Sequence, residues 1–114
     1  MIIEKQQLDQ LLAQSFEAYK EELKKPWPEM ETDLDKAFEI IALNSDSVEQ
    51  HQVSLVDEIH INEHGEQVIN FPAWQDELER HLKFKYGQSK GQVAFNKVIM
   101  QIFLRLRQNQ PALH

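Results

Sequence analysis

Three groups of side chains in this 114-residue sequence are of types that could carry chemistry. Glu58, His60 and His64 bring one carboxylate and two imidazoles into one stretch, the mixed oxygen and nitrogen ligands that zinc accepts. The spacing matches no helix-borne two-histidine motif and no fourth ligand is evident, so a solvated hairpin tip is the competing account. His51, His81 and His114 are scattered. Asp57 is the odd residue of its strand, because alternation groups it with Leu55 and Ile59 on the apolar face, where an unpaired carboxylate is costly. Either a bulge near Val56 turns it to water, or it makes a polar contact in a groove with a raised pKa. The third group is basic. Lys83, Lys85, Lys90, Lys97, Arg105 and Arg107, interleaved with Phe84 and Tyr86, suit a nucleic-acid surface on which cations hold phosphates and an aromatic ring stacks a base. These charges spread over two helices and a loop, and pairing with the acidic first half competes with that use.

Catalytic motifs do not accompany these groups. The three glycines, at 65, 87 and 91, form no phosphate loop, because Gly87, Lys90 and Gly91 lack the order and the preceding strand of a P-loop. No serine sits in a nucleophile elbow. Cysteine is absent, which removes disulfides, thiolate metal sites and thiol nucleophiles and suits a reducing compartment. No activity as an enzyme and no cofactor are expected.

Charge is distributed unevenly along the chain. All 19 Asp and Glu lie between Glu4 and Glu79, whereas residues 80–114 carry seven of the 12 Lys and Arg. The net charge of −7 makes the whole molecule a poor ligand for nucleic acid except through its basic end. The start has no basic segment followed by an apolar run, and no window approaches the ~18 apolar residues of a membrane span. A cytoplasmic protein with no membrane contact is the expectation, folded as one small globular domain over residues 1–114.

The elements that must position these residues follow from periodicity. Leu8, Leu11, Leu12, Phe16, Tyr19 and Leu23 form the apolar stripe of a first helix. It ends by Lys25, where Pro26 and Pro28 bracket Trp27, a lid on the core edge. A second helix runs from about Asp33 to Leu43 with Thr32 or Asp33 as N-cap and Leu34, Ala37, Phe38 and Ile41 inward. Residues 44–52 form a polar connection. Val53, Leu55, Ile59 and Ile61 alternate as one half-buried strand, which turns over residues 62–66 and returns over Gln67 to Phe71. An isolated hairpin is marginal in water, so this one should lie on helices. A third helix starts at Pro72 with Trp74, Leu78 and Leu82 inward and ends at Gly87. A fourth begins with a Ser89/Gln92 capping box and runs to about Gln108, before Pro111. The fold class is α+β and helix-dominated: about four helices packed with one antiparallel β-hairpin, in the order helix, helix, hairpin, helix, helix.

The fourth helix carries more apolar surface than packing on one side needs. Phe95, Val98, Ile99, Ile102, Phe103 and Leu106 make one broad face. Val93, Met100 and Leu104 make a second stripe, separated from the first by Lys90, Ala94, Lys97, Gln101 and Gln108. Either the helix is a central strut covered on both sides, or the second stripe meets a partner or a second copy. In the first half, Glu17, Glu21, Glu22, Glu29, Glu31, Asp33, Asp35 and Glu39 fall on the solvent side and could steer a basic protein. These features favour a small acidic interaction module of the inhibitor, immunity or adaptor type. It would dock through Glu17, Glu21, Glu29 and Glu31 and through Val93, Met100 and Leu104. Its partner would be another protein of basic charge, with self-association into a dimer through the stripe. The alternative is a nucleic-acid-binding regulator that uses the six basic residues named above.

Overall fold

The computed structural model describes residues 2–44, 52–56 and 58–109. The elements run β1 (Ile2–Glu4), α1 (Lys5–Leu23), α2 (Met30–Leu43), β2 (Gln52–Ser54), β3 (Glu58–Ile61), β4 (Gln67–Asn70), α3 (Ala73–Tyr86) and α4 (Gln88–Asn109). This is the helix-dominated α+β class that the periodicities predict.

Leu8, Leu11, Leu12, Phe16 and Tyr19 of α1 are buried, as are Val98, Ile102 and Leu106 of α4, and the two helices pack against each other. Each such side chain gains about 1.5–3 kcal/mol from leaving water, so these stripes hold the molecule together. The joint between α3 and α4 is a single residue. Gly87 adopts φ 94° and ψ 162°, a conformation open essentially to glycine alone. Its N–H closes α3 on the Lys83 carbonyl at 2.9 Å, and its own carbonyl receives the Gly91 N–H at 2.8 Å. Helix α4 therefore starts at Gln88, and Ser89 lies inside it instead of capping it. Gly91 permits the crossing of the two helices: a Cβ there would stand 2.4 Å from the Lys83 Cα.

The strands depart from the expected single hairpin. The predicted strand from Val53 to Ile61 is divided, and its halves belong to different sheets. Strand β2 pairs antiparallel with β1, with Ile3 opposite Val53. Strand β3 pairs with β4, with Ile59 opposite Ile69. The reason lies in α3, where the Trp74 Nε1 donates to the Ser54 carbonyl at 2.6 Å and the buried Gln75 Nε2 to the Leu55 carbonyl at 2.8 Å. These bonds tie the end of β2 into the core, where Val53 and Leu55 are fully buried. The β3–β4 turn forms over residues 62–66 as expected, with the Asn62 Oδ1 accepting the N–H groups of His64 and Glu66, each at 2.9 Å. The hairpin does not lie on the helices by its apolar face, because Ile59, Ile61, Ile69 and Phe71 are all exposed. Asp57, His51, His114 and Pro111 lie outside the described residues.

Candidate functional site

Helix α2 begins at Met30, three residues earlier than expected, and this changes the role of Asp33. Met30, Asp33, Ala37, Ile40 and Ile41 are all buried, and their three- and four-residue spacings put them on one face. Asp33 is neither an N-cap nor a solvent-facing acid: its side chain is 0% exposed. A carboxylate there survives only if donors replace water, and four side chains supply them. The Lys85 Nζ lies 2.7 Å from Oδ1, and the His81 Nε2 lies 3.3 Å from the same atom. Oδ2 accepts the Trp27 Nε1–H at 3.0 Å and the Tyr86 hydroxyl. Burial pushes the Asp33 carboxyl up, but the hydrogen bonds from Lys85, Tyr86, Trp27 and His81 outweigh it and hold the group below the usual carboxylate range. Burial and the bond to Asp33 push the Tyr86 hydroxyl up. Burial lowers the Lys85 ammonium, yet the bond to Asp33 leaves it raised overall. With no solvent-facing edge, Asp33 cannot meet a ligand; it fixes Trp27 and Tyr86.

Those two rings wall a half-open cleft of about 470 Å³ between the C-terminal end of α1, the Pro26–Trp27–Pro28 connection and the first turns of α4. The Trp27 ring meets Phe16 at 5.2 Å, tilted by 55°, and Tyr19 edge-on at 5.8 Å, and its Nε1–H is shared with the Tyr86 oxygen at 2.9 Å. It is thus the lid on the core edge that its proline flanks suggest, held from both sides. Tyr19, Leu23, Val93 and Ala94 complete an apolar lining, with Lys25, Lys90 and Glu29 at the same cleft.

No protein family, curated protein or solved structure matches this chain. Its functional reading rests on geometry alone.

A second candidate surface is apolar and open. In α4, Val93, Met100 and Leu104 are 50%, 54% and 43% exposed, so no described residue covers this stripe as the strut account requires. Near its middle, Met100 shares a cleft of about 460 Å³ with Phe71, Phe95 and Ile99. Phe71 lies two residues beyond Ile69, on the face of the hairpin that also carries Ile59 and Ile61. The hairpin face and the α4 stripe thereby adjoin. Exposed Asp76 lines the same cleft, and Glu63 and Glu66 are exposed at the hairpin tip. Sequence reading placed the hairpin's isoleucines in the core and so missed half of this surface.

The remaining candidates are dispersed. Glu17 and Glu21 are exposed on α1 and Glu31 on α2, while Glu29 lies 3.5 Å from the Lys85 ammonium. Among the basic residues, Lys83 holds Glu79 at 2.7 Å, Lys85 holds Asp33, and Lys97 holds Glu22 at 2.8 Å. Lys90 belongs to the Trp27 cleft, and the buried Arg105 Nε has no hydrogen-bond partner among the described residues. Of the two aromatics set among them, Phe84 is exposed and Tyr86 is committed to Asp33. Three of these six cations are thus engaged by acids of the fold itself. His60 lies opposite Val68 in the β3–β4 ladder, and no group of three His, Asp or Glu among the described residues could hold a metal ion. The Glu58 side chain lies outside the described residues. No described helix is long and apolar enough to cross a membrane.

Proposed function

We propose that this protein is a small cytoplasmic docking module, of the inhibitor, immunity or adaptor type, that grips a basic partner protein and performs no catalysis. The observation that carries the reading is the adjoining pair of exposed apolar surfaces, Ile59, Ile61, Ile69 and Phe71 on the hairpin with Met100 and Leu104 on α4. Contiguous apolar surface on an otherwise charged protein marks contact with another macromolecule. An interface of this kind has an apolar centre and a polar rim. Here Phe71 and Met100 supply the centre, and Asp76, Glu63 and Glu66 supply a rim of negative charge. The acids of α1 and α2, Glu17, Glu21 and Glu31, add a wider negative field that raises the rate of encounter with a basic protein.

The test is capture of partners on immobilised protein. Wild type is compared with Ile61→Ser/Phe71→Ser, which removes apolar centre, and with Glu63→Lys/Glu66→Lys/Asp76→Lys, which reverses the rim. A basic protein retained by wild type and released by both variants, then bound in purified form by calorimetry, is the expected result. Capture that both variants leave unchanged overturns the reading. Retention of nuclease-sensitive material alone would transfer the function to the basic residues of α3 and α4.

A further inference from the structure

We propose that the cleft beside Trp27 is a binding site for a small apolar monocarboxylate, next to the α4 stripe with which it shares Val93. The cleft's volume of about 470 Å³ falls within the ~300–1,000 Å³ typical of small-ligand pockets. Its walls are apolar and aromatic: Tyr19, Leu23, Trp27, Tyr86 and Val93. They are also fixed in advance. Trp27 and Tyr86 both bond to the buried Asp33, so a ligand does not have to order them, and that saving goes into affinity.

Charge selects the ligand's head group. Lys25 and Lys90 line the cleft and are exposed, and neither has an ion pair among the described residues. Glu29, the one acid of the lining, lies 3.5 Å from Lys85, which offsets its field. The cleft therefore carries a local positive surplus on a chain of net charge −7. A multiply charged anion is repelled by the rest of the molecule, whereas a single carboxylate meets two ammonium groups while its apolar body lies between Trp27 and Val93.

The probes are octanoate, octan-1-ol and octylammonium, which share a tail and differ in head group. Binding is read by calorimetry and by tryptophan emission; Trp27 is half-buried at the site, whereas Trp74 is enclosed in the core. Octanoate should bind saturably at one site and tighter than both other probes. The variant Lys25→Gln/Lys90→Gln should weaken octanoate roughly fivefold to tenfold, the combined worth of two exposed ion pairs, and leave octan-1-ol unchanged. Val93→Trp fills the cleft from an exposed position and should abolish binding of both while circular dichroism stays native. Octanoate that fails to saturate at millimolar concentration, that binds no tighter than octylammonium, or that is indifferent to either variant overturns the proposal.

Discussion

Asp33 shows how one carboxylate organises a region that it never exposes to a ligand. Replacing it with Asn keeps the volume but removes the charge that faces Lys85 and one of the two acceptors shared by Trp27, Tyr86 and His81. Breaking a buried, hydrogen-bonded charge cluster costs about 3–5 kcal/mol. Because Lys85 and His81 keep 21% and 23% of their side chains in water, a smaller cost of about 2–4 kcal/mol is expected for Asp33→Asn, read from urea unfolding at pH 7. The sign of the pH dependence follows from the depressed carboxyl. Its contribution is complete above the unfolded value of ~3.9 and is lost as pH falls through the lower folded value. Wild type and Asp33→Asn should therefore differ by a constant amount from pH 7 to about 5 and converge below about 4. Asp33 was legible in principle. It stands at helical spacing from Ala37, Ile40 and Ile41, but placing the helix start at Asp33 makes an acid look like a cap. The start at Met30 depends on the Trp27 carbonyl, which receives the Met30 N–H at 3.1 Å, and on no side-chain cap that a sequence would display.

At the level of elements, the two glycines around the α3–α4 joint should fail for different reasons. Gly91→Ala meets the Lys83 backbone, which cannot swing away, so the helices must separate at a cost of about 1–3 kcal/mol or more. At Gly87 a Cβ has open space, and Gly87→Ala loses about 1–3 kcal/mol through backbone conformation alone. Thermal unfolding of both variants reads the totals, and Gly87→Asn should lose about as much as Gly87→Ala, because ψ 162° lies outside the left-handed region that asparagine tolerates. The β3–β4 hairpin should behave as the opposite extreme. With its apolar face in water and its ladder one pair wide, its amides should exchange with solvent hydrogen markedly faster than those of Val98 to Ile102 in α4. The four helices and the turn at 62–66 could be read from periodicity and turn chemistry. The division of the strand could not. Val53, Leu55, Ile59 and Ile61 remain in phase at a period of two, although the first two face the core and the last two face solvent. Three-residue β1 is too short to show any period.

Over the whole molecule, the lopsided charge of the sequence is partly cancelled by the fold. The ion pairs Lys97–Glu22 and Lys85–Asp33 join the basic second half to the acidic first half, and they remove two cations from any nucleic-acid surface. The chain as a whole keeps its net charge of −7. Docking to a basic partner should accordingly slow as salt rises, with the association rate falling more than the dissociation rate changes. Surface plasmon resonance at low and high ionic strength measures both. Sequence pattern identified the α4 stripe as surplus apolar surface, because a wheel counts faces. Its junction with the hairpin through Phe71 depends on tertiary placement that no wheel contains.

The packing of α1 on α4 has a consequence for the chain while it is being made. Strand β1 must reach β2 and α1 must wait for α4, whereas α3 and α4 meet across one residue. During synthesis the Leu8, Leu11, Leu12 and Phe16 stripe of α1 emerges well before the helix that covers it. The nascent chain thus presents a sticky amphipathic helix to the ribosome exit and to any holdase there, and the step that withdraws it is the arrival of α4.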